Sequence, residues 1–338
     1  MNRIQPMTDK IITNRDLKIL FELSKRHAYK QLQIILTDQG YLFKSLSEGY
    51  SKGVVFYKSK GIHSILSHAI ATFFLYHKYM PSLINPKTFS EKLLWSKFFR
   101  EFKIPESGNK LLTHKFIPTS LNKTICKPPI VWHSNNPILP GNNEIEPGFY
   151  YLKSNHGSGM YTQITYPLTE EDKLKSEALA SSWLKCNYGL SDGEWFYSCF
   201  DKEILIERDI SPGESSISWN YYVFNGKTLL LSIVQKTNKG VQYICYDENL
   251  IPVEMPGSQP PTNFSLNHRK ALSLSLFAQA IADQSPFVRV DFMHDIFDNI
   301  FLGEITWTPL NGQSALPFKH ELLLGEAWKH NNTPINHS

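Results

Sequence analysis

Two hydrophobic segments near the C-terminus carry an arginine and two carboxylates, and no other feature constrains the fold as strongly. The segment PFVRVDFMHDIFDNIFLGEITW, residues 286–307, predicts two β-strands joined by a short acidic turn. Side chains alternate between the faces of a strand, so Arg289 and Asp291 share a face. Glu304 lies across from them if the second strand folds back. Burying these charges is costly, so they require partners or a function.

This charge cluster has two explanations. A divalent cation that bridges phosphate oxygens would compensate the carboxylates, because Mg²⁺ takes carboxylate ligands together with nucleotide oxygens. A salt-bridge cluster at the edge of a sheet would compensate them without any ligand. These residues alone do not decide between the two.

A second pair of carboxylates follows an apolar strand in the middle of the chain. The strand EILIE, residues 203–207, ends in Glu207, and Glu214 follows seven residues later, after a Pro-Gly turn. In a nucleotide-binding cleft, the connection between two lobes can present backbone groups to adenine. A carboxylate in that connection can bind the ribose hydroxyls. The alternative is two surface glutamates on either side of a turn.

A lysine and a glycine-containing loop come earlier, in FYYLKSNHGSGMYTQI, residues 149–164. The pattern predicts a strand that ends at Lys153, a loop containing Gly157-Ser158-Gly159, and a second strand. The N–H groups of such a loop can bind phosphate oxygens, and the lysine adds a positive charge. A plain hairpin is the alternative, since the loop lacks the GxxxxGK[ST] pattern of a Walker A motif.

Helices and strands alternate along the rest of the chain. The predicted helices cover residues 14–48, 62–80, 169–186 and 266–283, the predicted strands include 161–166 and 203–207, and residues 117–148 are predicted loops. Thr88 and Glu91 form a capping box that begins a further helix. Asn225-Gly226 predicts a two-residue hairpin turn. Hairpins interleaved with helices indicate an α+β or mixed α/β class.

The order of these features resembles the ATP-grasp superfamily. Four motifs, NPKTFSEKLLW, LKSNHGSG, FNGK and VRVDFM…GEITWTPLNG, resemble more closely the TupA-like ATP-grasp family, first described in teichuronopeptide synthesis. The resemblance implies an α+β (mixed α/β) ATP-grasp fold in which two α+β lobes clamp ATP, after an N-terminal helical extension. It implies an N-terminal subdomain 85–148, a small lobe 149–214 and a C-terminal lobe 215–338 with the metal site. The resemblance begins at about residue 85, and the region 1–84 is predicted to be helical and basic from its own pattern and charge.

The resemblance also implies residues for each part of the site. It assigns ATP binding to Lys110, Lys153, Gly157, Ser158, Gly159, Glu207 and Glu214, Mg²⁺ binding to Asp291, Glu304 and Thr306, and catalysis to Arg289 and His156. Arg289 would stabilise the transferring phosphoryl group. His156 would bind phosphate or help deprotonate an amine, and the alternative is that it braces the turn.

Three positions leave questions within this resemblance. Lys115 competes with Lys110 for the place of the earlier nucleotide lysine. Thr306 stands where many ATP-grasp enzymes have asparagine, and its hydroxyl is a weaker Mg²⁺ ligand. Asn220 stands where the family has a lysine, which removes one cationic contact to phosphate or substrate. The carboxylate pair is unaffected, so the resemblance implies an active enzyme.

The activity implied by the resemblance is ATP-dependent ligation of a carboxylic acid to an amine through an acyl phosphate. The expected product is an amide between an amino acid or other amine and a uronic acid or similar sugar, made for a bacterial surface polysaccharide such as a capsule, O-antigen or teichuronopeptide. Two alternatives remain open at this stage. One is a glycosyltransferase of a polysaccharide cluster, and the other is a catalytically inactive nucleotide-binding module.

Charge is distributed unevenly between the two parts of the chain. Residues 1–130 carry 21 Lys and Arg against 8 Asp and Glu, whereas the remaining residues carry 14 against 23. The basic part suggests an anionic partner such as a glycan, a sugar nucleotide or a lipid-diphosphate-linked chain. The alternative is a lysine-rich solvated surface. Nucleic acid is not expected, because no nucleic-acid-binding motif accompanies the charge.

The remaining composition indicates a cytoplasmic protein. The first ten residues lack the apolar core of a signal peptide, and the segment 62–76 is too short to span a bilayer. The four cysteines have no metal-ligand spacing and are expected to be reduced structural thiols. Lysines near 52–60 leave open a shallow contact of segment 62–80 with a membrane, with core packing as the alternative.

Overall fold

A computed structural model describes most of the chain as two β-sheets with flanking helices. It describes residues 14–38, 62–99, 108–213, 217–237, 240–255, 258–262, 264–283, 285–313 and 316–329. The helices in these residues are α1 (Asn14–Asp38), α2 (Ile62–His77), α3 (Phe89–Phe99), α4 (Glu170–Lys185), α5 (His268–Ala282) and α6 (Phe318–Ala327).

The strands of the described residues form a seven-stranded and a four-stranded sheet. They are β1 (Ile125–Cys126), β2 (Ile130–Ser134), β3 (Gly148–Ser154), β4 (Tyr161–Tyr166), β5 (Ile204–Arg208), β6 (Ile217–Phe224), β7 (Lys227–Thr237), β8 (Gly240–Asp247), β9 (Pro252–Val253), β10 (Val288–His294) and β11 (Ile300–Thr306). The large sheet has the order β1-β11-β10-β6-β7-β8-β9 and the small sheet the order β2-β5-β3-β4. Helices together with a mixed large sheet and an antiparallel small sheet confirm the predicted α+β (mixed α/β) class.

Local sequence rules account well for the element bounds. Asn225 and Gly226 have φ values of 47° and 78°, as a two-residue hairpin turn between β6 and β7 requires. The capping box is also confirmed, because Thr88 Oγ1 accepts from the Glu91 N–H at 3.2 Å and the Glu91 carboxylate accepts from the Thr88 N–H at 3.1 Å. The region 117–148, predicted as loops, contains the short strands β1 and β2. Strand β2 joins the small sheet, which therefore extends N-terminal of the expected lobe boundary at 149.

The N-terminal helices pack against each other and against α3. Helix α1 begins at the predicted residue and ends at Asp38, and the rest of the predicted helix, residues 39–48, lies outside the described residues. Ala28 of α1 joins a buried cluster with Leu66 and Ile70 of α2 and Leu94 of α3. Core packing is thus the main role of α2. Across the residues that the structure describes, none of the helices has the length and apolarity needed to cross a bilayer.

The small sheet has a core face and a polar face. Tyr150 and Leu152 of β3 pack with Ile206 of β5 in a buried cluster that also includes Ala180 of α4. Because successive side chains point to opposite faces of a strand, the intervening residues, Lys153 among them, lie on the other face.

The large sheet has the same two-sided character. Tyr221 of β6 and Val290 of β10 belong to a buried cluster with Ala271 and Leu274 of α5. The Tyr221 hydroxyl donates to the Ala271 carbonyl oxygen at 3.0 Å, which fixes α5 on this face. The opposite face therefore carries the alternate residues of β6 and β10, including Asp291.

Gly325 lets α6 lie directly against the start of α3. A Cβ at this position would lie 2.0 Å from the Lys87 carbonyl oxygen and 2.8 Å from the Thr88 carbonyl carbon. Backbone cannot move aside as a side chain can, so Gly325→Ala should lower the free energy of unfolding by about 3 kcal/mol. Urea denaturation measures this change. Glu326→Ala, at an exposed position of the same helix, should cost less than about 0.5 kcal/mol, and equal stability of the two variants would contradict the packing.

Candidate active site

The polar face of the small sheet presents a buried ion pair. Lys153 lies opposite Leu205, and Glu207 lies opposite Tyr151 in the β3–β5 register, so the two charged side chains are diagonal neighbours on one face. Lys153 Nζ pairs with the Glu207 carboxylate, and the two side chains are only 19% and 9% exposed. A cation and an anion that share this face can contact the phosphates and the sugar or base of a nucleotide, respectively.

The polar face of the large sheet holds the arginine and the two carboxylates of the C-terminal strands. Asp291 is the direct cross-strand partner of Glu304, and Arg289 is that of Thr306. Arg289 donates from Nε and Nη2 to both oxygens of Asp291, at 2.7 and 2.6 Å, and its Nη2 lies 3.6 Å from Glu304 Oε2. The prediction that these three residues share a face is confirmed by the register.

The charges in this group are coupled to one another. Burial raises the pKa of Asp291, Arg289 lowers it, and the neighbouring charge of Glu304 raises it further. Burial alone would lower the pKa of Arg289, but the negative charges of Asp291 and Glu304 outweigh burial and raise it. The guanidinium therefore stays charged, and it compensates the buried Asp291 carboxylate beside the partly exposed Glu304.

Asp291, Glu304 and Thr306 form a set of oxygen donors that fits Mg²⁺. Two facing carboxylates and a hydroxyl are hard ligands, which is the donor type that Mg²⁺ prefers, and they leave room in its shell for phosphate oxygens. Glu304 is 33% exposed, so its carboxylate is accessible from solvent. Thr306 Oγ1 lies 3.4 Å from Arg289 Nη2, which keeps the hydroxyl beside the same group.

A hydrogen bond connects the polar faces of the two sheets. Lys236 of β7 donates from Nζ to the Tyr161 hydroxyl of β4 at 3.3 Å, and thus connects the large sheet with the small one. Lys110 lies within range of charges on both faces. Burial lowers the pKa of its ammonium, and the negative charges of Glu304 and Glu207 oppose this lowering. We call the space between these two faces the cleft.

The loop between β3 and β4 is shaped by packing as well as by backbone freedom. A Cβ at Gly157 would lie 2.1 Å from Met160 Cε and 3.0 Å from the Tyr188 ring, so a larger residue would displace the end of the Met160 side chain and crowd the ring. Gly159 has a φ of 74°, a conformation that favours glycine. Ser158 is exposed between them.

Lys110 holds this loop from a distant part of the chain. Its backbone N–H donates to the Asn155 carbonyl oxygen at 3.2 Å, and its Nζ donates to the Gly157 carbonyl oxygen. Burial lowers the pKa of the Lys110 ammonium. Lys115 is exposed, and these contacts favour Lys110 as the earlier nucleotide lysine.

Lys127 is a site residue that the sequence did not indicate. Its Nζ donates to the Lys110 carbonyl oxygen at 2.5 Å. Burial lowers the pKa of Lys127 to about 8, while Glu207 raises it and Lys153 lowers it further. Lys127 follows the two-residue strand β1 in a region without a motif, so no local signal points to it.

A comparison with protein-family models decides the family. The model of the TupA-like ATP-grasp family matches residues 97–329, which is well over half of the chain. The chain belongs to the TupA-like ATP-grasp family. The match covers both sheets and leaves α1 and α2 outside.

Solved structures of ATP-grasp ligases resemble this family member at low sequence identity. The D-alanine–D-alanine ligase of Bacillus anthracis, complexed with ATP, is 15% identical with a TM-score of 0.39 over 66% of this chain and 65% of that one, so the chain spans slightly less than two thirds of its length. The D-alanine–D-alanine ligase of Helicobacter pylori is 18% identical with a TM-score of 0.41 over 73% and 68%.

A third structure is the ATP-grasp ligase PsnB, complexed with a phosphomimetic variant of its minimal precursor, Mg and ADP. It is 10% identical, with a TM-score of 0.35 over 71% of this chain and 66% of that chain. The comparison with curated proteins found no similar sequence.

Within this TupA-like ATP-grasp protein, His156 is held inside its loop. Its Nδ1 lies 2.7 Å from Ser154 Oγ and 3.1 Å from Asn155 Oδ1, and its Nε2 lies 3.1 Å from the Trp183 carbonyl oxygen. Both ring nitrogens thus have protein partners, and the carbonyl requires Nε2 to be the donor. These contacts favour the bracing role of His156 over the catalytic one.

Burial of His156 should make stability depend on pH. Burial lowers the pKa of His156 from its ordinary value of 6.5 to about 4. The unfolded chain therefore binds this proton first, and the native state should lose stability as pH falls from 6.5 towards 4. In His156→Gln, part of this acid dependence should disappear, as measured by thermal unfolding at several pH values. His114→Gln, at an exposed histidine, is the control, and identical pH profiles for all three proteins would contradict the assignment.

Two further positions that the sequence singled out are Glu214 and Asn220. Glu214 lies outside the described residues, so its role stays a prediction. Asn220 lies directly opposite Asp291 in the β6–β10 register and accepts a hydrogen bond from Ser218. The position that resembles the family's lysine therefore borders the carboxylates, but it carries no charge here.

Proposed function

We propose that this protein is an ATP-dependent carboxylate–amine ligase that forms an amide through an acyl phosphate. One observation carries the proposal, in a chain that belongs to an ATP-grasp family. The ion pair of Lys153 and Glu207 and the group of Arg289, Asp291 and Glu304 lie on the polar faces of two sheets, and a hydrogen bond from Lys236 to Tyr161 connects these faces. The lysine on one face would suit the phosphates of a nucleotide, and the carboxylates on the other face would suit its magnesium ion.

The chain's own residues would position the nucleotide and neutralise its charge. Lys153, Lys110 and the loop residues Gly157, Ser158 and Gly159 would bind phosphate oxygens, while Glu207, with Glu214, would bind the adenosine. Asp291, Glu304 and Thr306 would hold Mg²⁺, which supplies charge neutralisation at the phosphate oxygens when it is bound.

Arg289 would provide the catalytic charge. In the proposed reaction, a carboxylate oxygen of the substrate bonds to the γ-phosphorus of ATP, the bond from that phosphorus to the bridging oxygen breaks, and ADP leaves. The amine then bonds to the acyl carbon and loses a proton, and inorganic phosphate leaves with the former carboxylate oxygen and takes up that proton. Arg289 stays protonated throughout and stabilises the charge that develops on the transferring oxygens.

The substrate class follows from the family resemblance. We propose that a uronic acid or similar sugar supplies the carboxylate or receives the amine, that an amino acid or other amine is its partner, and that the product enters a bacterial surface polysaccharide. ATP and activated sugars are cytoplasmic metabolites, so we also propose a cytoplasmic location. The expected lobes are 149–214 and 215–338, preceded by 85–148 and the basic region 1–84.

Helix α1 offers a basic surface for an anionic acceptor. Arg15, Lys18 and Arg26 are exposed along this helix, and Ile19 and Leu23, 50% and 48% exposed, lie among them. Such a surface would suit an anionic glycan or a lipid-diphosphate-linked chain at a membrane. Lys52, Lys58 and Lys60 belong to the same basic region but lie outside the described residues.

Charge reversal on α1 tests this docking surface. Replacing Arg15, Lys18 and Arg26 together by Glu should raise the KM for an anionic acceptor about tenfold at low salt and much less at 0.5 M salt. The KM for ATP should not change.

The control for this variant removes the same charge elsewhere. Lys175, Lys319 and Lys329 are exposed at or near other helices, and their joint replacement by Glu should leave the acceptor KM unchanged. Equal effects of the two triple variants would show that net charge, rather than α1, determines binding.

A screen for ADP release tests the proposed function. Purified protein is incubated with MgATP and pairs of uronic acids and amino acids, ADP is measured by a coupled assay, and products are identified by mass spectrometry. The proposal expects ADP and an amide from at least one pair. Transfer of sugar from a sugar nucleotide with ATP left intact would favour the glycosyltransferase, and ATP binding without ADP release for any acceptor would favour the inactive module.

A further inference from the structure

Lys236 lies on the same sheet face as the proposed metal ligands. Asn220 pairs with Ser232 in the β6–β7 register and with Asp291 in the β6–β10 register, so these three side chains share a face. Lys236 is four residues beyond Ser232 on β7 and therefore points to the same side.

Lys236 also reaches the small sheet. Its Nζ donates to the Tyr161 hydroxyl at 3.3 Å and lies 4.9 Å from the centroid of the Tyr161 ring. Tyr161 is the direct partner of Lys153 in the β3–β4 register. The ammonium thus extends from the face that carries Asp291 to β4, the strand paired with the one that carries Lys153.

Lys236 differs from Arg289 in its partners among the described residues. Arg289 donates hydrogen bonds to both carboxylate oxygens of Asp291. Lys236 donates to the Tyr161 hydroxyl instead, and no carboxylate of the described residues forms an ion pair with it. Lys236 is therefore a cation of this face that a ligand can engage without breaking an internal salt bridge.

An ammonium group in this place suits phosphate. It has three N–H donors, and Tyr161 accepts one of them, which leaves donors for ligand oxygens. The contact with Tyr161 alone would contribute little, because Lys236 is exposed and a cation–π contact of an exposed lysine is weak.

We propose that Lys236 binds phosphate oxygens of ATP from the large sheet while its contact with Tyr161 positions it across the cleft. This inference rests on the proposed function, since it requires ATP in the cleft. It gives the face a phosphate-binding cation although Asn220, next to Asp291, is uncharged.

Calorimetric titration with MgATP and with adenosine tests the proposal. In Lys236→Ala, the Kd for MgATP should rise roughly tenfold, which is the low end for hydrogen bonds to charged groups because this lysine is exposed. The Kd for adenosine, which has no phosphate, should not change. Lys227→Ala, at an exposed lysine at the other end of β7, should bind both ligands like the wild type.

Two further variants separate phosphate binding from mere contact between the sheets. Lys236→Arg keeps the charge and should retain most of the ATP affinity. Tyr161→Phe removes the hydroxyl acceptor and should weaken ATP binding less than threefold. The proposal is overturned if Lys236→Ala leaves the Kd for MgATP unchanged, if it weakens adenosine equally, or if Tyr161→Phe has the same effect. Wild-type protein that binds no ATP would contradict the proposed function itself, and this inference with it.

Discussion

Asp291→Asn and Glu304→Gln should each reduce ADP formation by about 10²–10³-fold, because each removes one carboxylate from the site that would hold Mg²⁺ and orient the phosphates. The two variants differ in what else they remove. Asp291 also binds Arg289 through both oxygens and is buried, whereas Glu304 is one third exposed and lies 3.6 Å from the same guanidinium.

This difference separates chemistry from folding. Asp291→Asn weakens the partner of a buried arginine and should lower the free energy of unfolding by about 3 kcal/mol. Glu304→Gln should cost less stability and lose as much turnover. Asp247→Asn, at the end of β8, is the matched control and should retain normal turnover and stability. Normal ADP formation in Glu304→Gln would contradict the assignment of this carboxylate to the metal.

Lys153→Met should raise the Kd for MgATP by about 10–100-fold, since a charge-assisted contact to phosphate contributes about 1.5–3 kcal/mol. The methionine keeps most of the side-chain volume and removes only the ammonium. Titration calorimetry measures the effect, and circular dichroism confirms that the variant is folded although Glu207 loses its partner.

A helix lysine provides the control for Lys153. Lys175 of α4 pairs with Glu171 at 2.6 Å, and both side chains are mostly exposed. Lys175→Met therefore also breaks an ion pair, but at a distance from the cleft, and it should leave ATP binding unchanged. Equal affinities of the Lys153 and Lys175 variants for MgATP would rule out Lys153 as a phosphate ligand.

The sequence allowed the local parts of this structure to be predicted. The turn at Asn225-Gly226 and the capping box of Thr88 and Glu91 depend on residues at most three positions apart, so a short motif contains all the necessary information. Arg289 and Asp291 could be placed on one face for the same reason, because alternation along a strand is a local rule.

Contacts between distant residues could not be predicted in this way. Lys127 donates a hydrogen bond to the carbonyl oxygen of Lys110, and His156 donates one to the carbonyl oxygen of Trp183. A backbone carbonyl is present at every position, so no residue type marks these partners in the sequence.

The glycine loop shows a related limit. Glycines at 157 and 159 were predicted to free backbone groups for phosphate. At Gly157 the structure adds a packing reason for glycine, because a Cβ would displace the end of the Met160 side chain and crowd the Tyr188 ring. The packing of Tyr188 against the loop depends on the helix α4 between them, and this tertiary contact has no signature in the motif.

An isotope experiment tests the central claim most directly. The carboxylate substrate found in the ADP screen is labelled with oxygen-18 in its carboxyl group, and the products are analysed by mass spectrometry. A ligase that works through an acyl phosphate should transfer one labelled oxygen into inorganic phosphate for each ADP and each amide formed. Unlabelled phosphate, or an amide formed with AMP and pyrophosphate, would contradict the mechanism proposed for Arg289, Asp291 and Glu304.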